Sequence, residues 1–167
     1  VEFKVQKALS NPTDVVLDIQ HLKVIGSKKV PAVNDFSLQV RKGEIVGIAG
    51  VDGNGQSELV HALSGLMPIL EGTVLLCGKD ITKTSIRERS ELGMGLVPED
   101  RQKHGLVLQY SIAENMIIKS YYTNLFQKHG FLHKNKMFSF ADDIAKQFDV
   151  RSGEGIHSAA RNLSGGN

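Results

Sequence analysis

The chain has 167 residues, 41% of them apolar and 23% charged, and a formal net charge of +2 at neutral pH. That length can bury a sizeable core, the charge is too small to argue for a nucleic-acid surface, and a single cysteine, Cys77, excludes an internal disulfide framework. No apolar run of membrane length is present in these residues, so work at a membrane calls for a partner that spans it.

Residues 1–13, with Lys4, Lys7, Asn11 and Pro12 and little periodicity, read as a linker from an earlier domain. Both ends have the look of cuts, since the chain starts on Val1 and stops at Asn167 where a helix is expected to begin. From Asp14 the pattern becomes β, with paired strands expected over 15–19 and 35–40 across a turn at 26–29. After the turn Arg41-Lys42-Gly43, residues 44–49 form a short continuous apolar run of the kind that makes a strand buried on both faces. A helix follows over about 55–66, with Leu59, Leu63 and Leu66 on one stripe, Val60 beside them, and Gly65 and Pro68 at its end. Residues 73–77 predict another strand, in which Cys77 is a small buried hydrophobe, with a turn at Gly78-Lys79-Asp80.

Ser85-Ile86-Arg87-Glu88 is a capping box that starts a short helix, and a strand is expected over 94–97 before Pro98. A second box, Ser111-Ile112-Ala113-Glu114, starts another helix, where Ile112 and Met116 share a face. Phe140, Ile144 and Phe148 recur every fourth residue and predict an apolar stripe on a third. A β-rich first half therefore passes into a helical stretch from roughly residue 100 to 161.

The residues with the clearest chemistry are Gly50, Val51, Asp52, Gly53, Asn54, Gly55, Gln56 and Ser57, placed between the expected strand and helix. Their spacing is that of a phosphate-cradling P-loop: glycine, four residues, glycine, then a polar pair ending in a hydroxyl. Several positions must take positive φ for backbone N–H groups to face an anion, which glycine does without a Cβ clash, and Asp and Asn are the next most tolerant types. A helix start adds unpaired N–H groups and a positive dipole end, and Ser57 can offer its hydroxyl to Mg²⁺. A Cβ at Gly55 is expected to clash where phosphates approach. Where the pattern has lysine, Gln56 stands instead, exchanging a charge-assisted contact for a neutral one at a loss of about 1–2 kcal/mol. Taken alone, the loop is also compatible with a tight strand-to-helix turn.

Three stretches in order are more specific than the loop: residues 47–59, Leu96-Val97-Pro98-Glu99-Asp100-Arg101, and Leu163-Ser164-Gly165-Gly166-Asn167. Together they make the chain resemble the nucleotide-binding domain of ABC transporters, whose signature is the Leu-Ser-Gly-Gly stretch. The Val-Pro-Glu-Asp-Arg segment, followed by His104-Gly105-Leu106 and residues 111–115, looks like the second ATP-binding half of importers for simple sugars and nucleosides. The resemblance implies an α/β fold: a P-loop NTPase core of ABC type with an N-terminal antiparallel β subdomain and an α-helical subdomain, truncated at the signature. It divides the chain into core and β subdomain at 14–99 and helical subdomain at 100–167.

Residue by residue, the resemblance implies that residues 50–57 with Glu58 line the phosphates of ATP, that Ser57 holds Mg²⁺, and that Glu99, at the Q-loop position, is a second Mg²⁺ ligand. Glu99 replaces the usual glutamine and while ionised can only accept hydrogen bonds. Leu163, Ser164, Gly165, Gly166 and Asn167 match the signature, which in ABC dimers covers the γ-phosphate of the opposite half's ATP. No catalytic set is complete, because the acidic strand end and histidine loop of the family are expected beyond Asn167. The aromatic that commonly stacks on adenine is missing between Gln20 and Asn34.

The function implied is energy coupling. A parent with a second, N-terminally fused nucleotide-binding half, transmembrane permease subunits and an upstream solute-binding protein would drive nucleoside or sugar uptake from the cytoplasmic face of the cell membrane, with no nucleic-acid partner. In that setting the Gln56 site is degenerate and this half lends its signature to the other. The alternatives are a soluble ABC-type ATPase, such as a translation or DNA-repair factor, and a non-hydrolysing structural half. His129 and His133 lack further ligands for a metal, Lys128, Lys134 and Lys136 read as a solvated basic face, and Arg101, Lys103 and His104 are either a contact with the membrane subunit or plain surface.

Overall fold

The computed structural model describes residues 11–27, 29–51 and 53–164, and the chain divides into two compact units, Val1–Leu96 and Val97–Asn167. Of the expected linker only residues 11–13 are described, and there the Thr13 N–H donates to the Lys42 carbonyl at 3.2 Å. Lys28, in the expected turn, also lies outside the described residues.

The first unit is built on an antiparallel sheet in the order β2-β1-β3-β4. Strands β1 (Val15–Ile25) and β2 (Pro31–Arg41) pair along their length and are about twice as long as the alternation predicts. The reason is a pair of offsetting irregularities. The register passes from Ile19↔Leu38 to Leu22↔Phe36, one extra residue on β1, and then to Val24↔Val33, one extra on β2. His21 (φ 52°) and Asp35 (φ 54°) sit at these bulges, and the His21 ring meets the Asp35 carboxylate at 2.7 Å. Each bulge flips the inside–outside alternation that a sequence pattern depends on, so the run looks broken although the strand continues.

Strand β3 (Glu71–Leu76) turns through Cys77 and Gly78 into β4 (Lys79–Asp80). Both turn residues have positive φ, 49° and 77°, as a two-residue hairpin with the right twist requires. Cys77 is therefore exposed on the turn rather than buried in the strand, because the turn takes the position that the apolar run had suggested was strand.

Helix α1 (Gln56–Ser64) packs Leu59 and Ala62 onto the sheet residues Ile19, Leu22, Val24 and Val74. It stops at Gly65 (φ 85°), with the Leu66 N–H donating to the His61 carbonyl at 2.8 Å, a left-handed cap that glycine favours. The expected stripe is thereby shortened: Leu63 is partly buried, whereas Leu66 lies past the cap and is exposed, as is Val60.

Helix α2 (Ile86–Glu91) begins with the capping box, the Ser85 and Glu88 side chains each serving the other's backbone N–H. The bond from the Ser85 hydroxyl holds the Glu88 carboxyl below its ordinary range. The same helix delivers a buried cation, Arg89, 3% exposed. Its guanidinium donates to the carbonyls of Ala62 (2.6 Å), Leu63 (2.7 Å), Thr82 (3.1 Å) and Thr84 (3.2 Å). Two of these belong to the last turn of α1, the negative end of its dipole, so one side chain ties α1 to the loop after β4.

Two expected strands are not formed. Residues 44–50 carry no regular structure, with Ile45 99% exposed and Ile48 51% exposed, and residues 94–97 are likewise irregular, Val97 being 93% exposed. A strand buried on both faces needs a hydrogen-bonding neighbour and cover from two layers, and among the described residues no strand runs beside either segment.

The second unit is mainly helical. A short π-helical turn over Arg101–Gly105 is capped by Asp100, whose carboxylate accepts from the N–H groups of Gln102 and Lys103. Helix α3 (Ile112–Ile117) starts on the second capping box, at Ser111, and a two-residue hairpin, β5 (Gln127–Lys128) and β6 (Phe131–Leu132), leads into α4 (Lys134–Gln147). Ala113, Ile117, Phe126, Met137, Ala141 and Ile156 form the core. Met137 and Ala141 make the buried face of α4, with Phe140 only partly buried beside them. Phe148 is 68% exposed because it is the C-cap and leaves the expected stripe. The stretch after the π-turn is tied to the end of the chain: Ile112 N–H donates to Ser158 O, Ala160 N–H to Tyr110 O and Arg161 N–H to Leu108 O, at 2.9 to 3.1 Å.

Replacing Arg89 by Met keeps the side chain's bulk but leaves four carbonyls without their donor, and is expected to cost about 2–4 kcal/mol. Urea unfolding of the first unit measures it. A cost below about 0.5 kcal/mol, the scale of an ordinary surface substitution, would mean that the guanidinium is not the tie described.

Candidate functional site

The residues singled out from the sequence fall in both units. In the first, the loop 50–55 joins irregular backbone to α1. Asp52 lies outside the described residues. Gly53 (φ 83°) and Gly55 (φ 94°) take the left-handed conformation that glycine favours. Gly55 is the N-cap of α1 and makes no side-chain cap. The first turn of α1 stands at the positive end of the helix dipole.

Within the protein itself, Gly55 is required by its contact with β2. A Cβ on it would collide with the backbone carbonyl of Ala32 and come within 3.6 Å of Val33, so the glycine lets the loop press against β2. Gly53, with the same sign of φ, has nothing within 4 Å of the place a Cβ would occupy.

Gln56 spans the loop it belongs to. Its Nε2 donates to the Val51 carbonyl at 3.2 Å, the same carbonyl that accepts from the Asn54 N–H at 3.2 Å. The amide lies over Gly50, where any Cβ would collide with it. An anion entering the loop must displace this side chain, which gives up one neutral hydrogen bond, about 0.5–1.5 kcal/mol, without bringing a positive charge in return.

In front of the loop is an open pocket of about 330 Å³, lined by Asn54, Gly55 and Gln56 on one side and by Ala32, Asn34 and Phe36 of β2 on another. Phe36 is a site residue that the sequence reading missed. The search for an aromatic ended at Asn34, and the bulge at Asp35 changes which side of β2 the next residue faces. Glu58, partly buried in the first turn of α1, has its carboxylate 3.7 Å from where a Cβ on Gly26 would lie; it borders the β1–β2 turn.

Ser57 belongs to the first turn of α1. Among the described residues no group of three or more His, Cys, Asp or Glu could hold a metal ion.

In the second unit, Glu99 is exposed in irregular backbone just before the capped π-turn. Leu163 is partly buried and Ser164 is exposed; the Ser164 carbonyl accepts from Arg101 Nη2 at 2.7 Å. Gly165, Gly166 and Asn167 lie outside the described residues. Asn115 fixes the turn between these segments, its side chain bonding both the N–H and the carbonyl of Val107 at 2.8 and 3.0 Å. His129 and His133 border one groove with Lys128 and Lys136.

Residues 33–167 match the model of the family described as ABC transporter. Over all 167 residues the chain is 47% identical to the Nucleoside import ATP-binding protein NupA of Lactococcus lactis and 45% identical to the Guanosine import ATP-binding protein NupO of Bacillus subtilis. It spans about a third of the length of these curated relatives, 33% and 32%. Among solved structures it resembles MJ1267, an ATP-binding cassette of an ABC transporter, with a TM-score of 0.71 and 24% identity over 92% of this chain and 61% of that one. The likeness identifies the α/β fold.

Substituting Ala at Gly55 is expected to cost about 2–4 kcal/mol in urea unfolding, as strain and collision add, and at Gly53 only about 1 kcal/mol, as strain alone. Equal costs would show that the Ala32 contact does not fix the start of α1.

Proposed function

The chain belongs to the ABC transporter family as an ATP-binding domain, and on that footing we propose that its first unit binds the triphosphate of ATP weakly at residues 50–58. The observation that carries this reading is a loop with left-handed glycines at Gly53 and Gly55 that leads into the start of α1 and lines a pocket with Asn54, Gly55 and Gln56. Gly50, Val51, Asp52, Gly53, Asn54 and Gly55 supply the cradle, and Gln56 swings from Val51 to a phosphate oxygen. Ser57 holds Mg²⁺, which supplies charge neutralisation to the phosphates when bound. Glu58 borders the site. Glu99, in the second unit, is a candidate Mg²⁺ ligand in its own right, as a hard carboxylate.

The neutral Gln56 makes this a degenerate site. It lacks the cation that would meet the charge developing on the phosphoryl group in the transition state, so the site binds better than it hydrolyses. Leu163, Ser164, Gly165, Gly166 and Asn167 serve a different ATP, held by a second nucleotide-binding half of the whole protein. The bond from Arg101 to the Ser164 carbonyl supports this role by fixing where that segment begins.

For the whole protein we read an import ATPase that works with membrane permease subunits and a solute-binding protein, peripheral to the cytoplasmic face of the cell membrane. Among the described residues no helix is long and apolar enough to cross a membrane. A nucleoside is favoured as cargo because relatives named for nucleoside and guanosine import are 47% and 45% identical, against 34% for a relative named for ribose import.

Calorimetric titration with a non-hydrolysable Mg²⁺-ATP analogue is expected to show weak binding that tightens about tenfold in Gln56→Lys; unchanged affinity in that variant would refute the degenerate-site reading. A strain deleted for the gene is expected to take up labelled nucleoside more slowly and labelled ribose normally. The reverse pattern would reassign the cargo to simple sugars.

A further inference from the structure

From Asn115 to Ala141 the chain has no aspartate or glutamate, although it carries 18 in all, and this stretch holds Lys119, Lys128, Lys134 and Lys136 with His129 and His133. Six of the ten aromatic residues also fall here. At its centre stands the β5–β6 hairpin, turned by His129 (φ 53°) and Gly130 (φ 84°) and pairing Lys128 with Phe131 and Gln127 with Leu132. The hairpin is firmly rooted. Phe126, 2% exposed, packs edge-on against Phe140, its carbonyl accepts from the His133 N–H at 2.7 Å, and the Gln127 amide donates to the Tyr122 carbonyl at 3.0 Å. Yet what this rigid hairpin presents is apolar: Phe131 is 79% exposed and Leu132 49%, with Leu125 nearby in sequence at 53%.

The charges beside it run against local preference. Helix α4 starts at Lys134 with no acidic residue in its first turn and no side-chain cap, so Lys134 and Lys136 stand at the positive end of the dipole, where acids are ordinarily stabilising. Below the hairpin a groove of about 440 Å³ is lined by Asn124, Gln127, Lys128, His129, His133 and Lys136, which include two lysines and no carboxylate. A conflict between local preference and sequence is characteristic of a functional site.

We infer that this hairpin docks on an anionic lipid surface, Phe131 and Leu132 entering the boundary between headgroups and acyl chains while Lys128, Lys134 and Lys136 meet lipid phosphates. The combination of an exposed apolar tip with an excess of flanking cations is what an interfacial anchor needs, Glu114 being a carboxylate that feels the charge of Lys134: apolar area supplies depth and each lysine adds attraction to a negative leaflet. An acidic protein segment would satisfy the cations but would leave Phe131 and Leu132 without use. The inference rests on residues 115–141 alone and does not depend on the nucleotide site.

The test is co-sedimentation of the 167-residue chain, without nucleotide, on vesicles of phosphatidylglycerol and phosphatidylcholine in equal parts, compared with phosphatidylcholine alone. Binding is expected on the anionic vesicles and should fall steeply as salt is raised. It should weaken about fivefold for each of Lys128→Gln, Lys134→Gln and Lys136→Gln, and also in a Phe131→Ser, Leu132→Ser variant whose circular dichroism is unchanged. Equal binding to both vesicle types would overturn the inference. So would binding lost in Ile45→Ser, Ile48→Ser but kept in the hairpin variant, which would assign it to the exposed 44–50 segment. Preference for polyglutamate over the vesicles, indifferent to Phe131→Ser, would reassign the face to an acidic protein partner.

Discussion

The contact between Gly55 and the Ala32 carbonyl of β2 governs the first unit. It lets the chain turn sharply into α1 against the edge of an antiparallel sheet, with Gly55 and Gln56 lining the pocket beside it. At the other end of α1, Arg89 binds the last carbonyls and anchors them to the segment after β4. The helix is therefore held at both ends by groups complementary to its dipole arrangement: a glycine that leaves the positive end open and a guanidinium that satisfies the negative end. On the proposed reading, the anion site at this helix start rests on backbone before any side chain contributes to it.

Much of the local structure was legible in the sequence because it depends on neighbours along the chain. The capping boxes at Ser85 and Ser111 form as expected, with both reciprocal bonds in each, and the β1–β2 pair is where the alternation put it. What was not legible depends on distant chain. The apolar run at 44–49 reads as a buried strand, but burial needs neighbours, and the described residues supply none beside it. The bulges at His21 and Asp35 hid half the length of two strands. Cys77 was taken into the strand because a positive φ in a hairpin turn leaves no mark when the residue is apolar. Phe36 escaped because the same bulge that hides the strand also turns this ring to the pocket.

In the loop itself, the sequence showed that Gln56 replaces a cation but not what the side chain does instead. It closes the cradle by bonding Val51 and covering Gly50, so the substitution has two costs, a missing charge and a hydrogen bond to be broken. In the second unit residues 158–164 are bound to the segment around the π-turn by the pairing of 108–112 with 158–161 and by Arg101 on Ser164. These ties join residues far apart in sequence, and no local pattern announces them. They make the segment that follows Glu99 and residues 158–164 parts of one body.

The most direct measurement is the amide NMR spectrum of the chain titrated with Mg²⁺ and an ATP analogue. If the uncapped start of α1 is the phosphate site, the backbone signals of Gly53, Gly55, Gln56 and Ser57 move together, and the Gln56 side-chain amide shifts as it leaves Val51. Signals that move elsewhere while these four stay in place would show that the loop is a turn and nothing more.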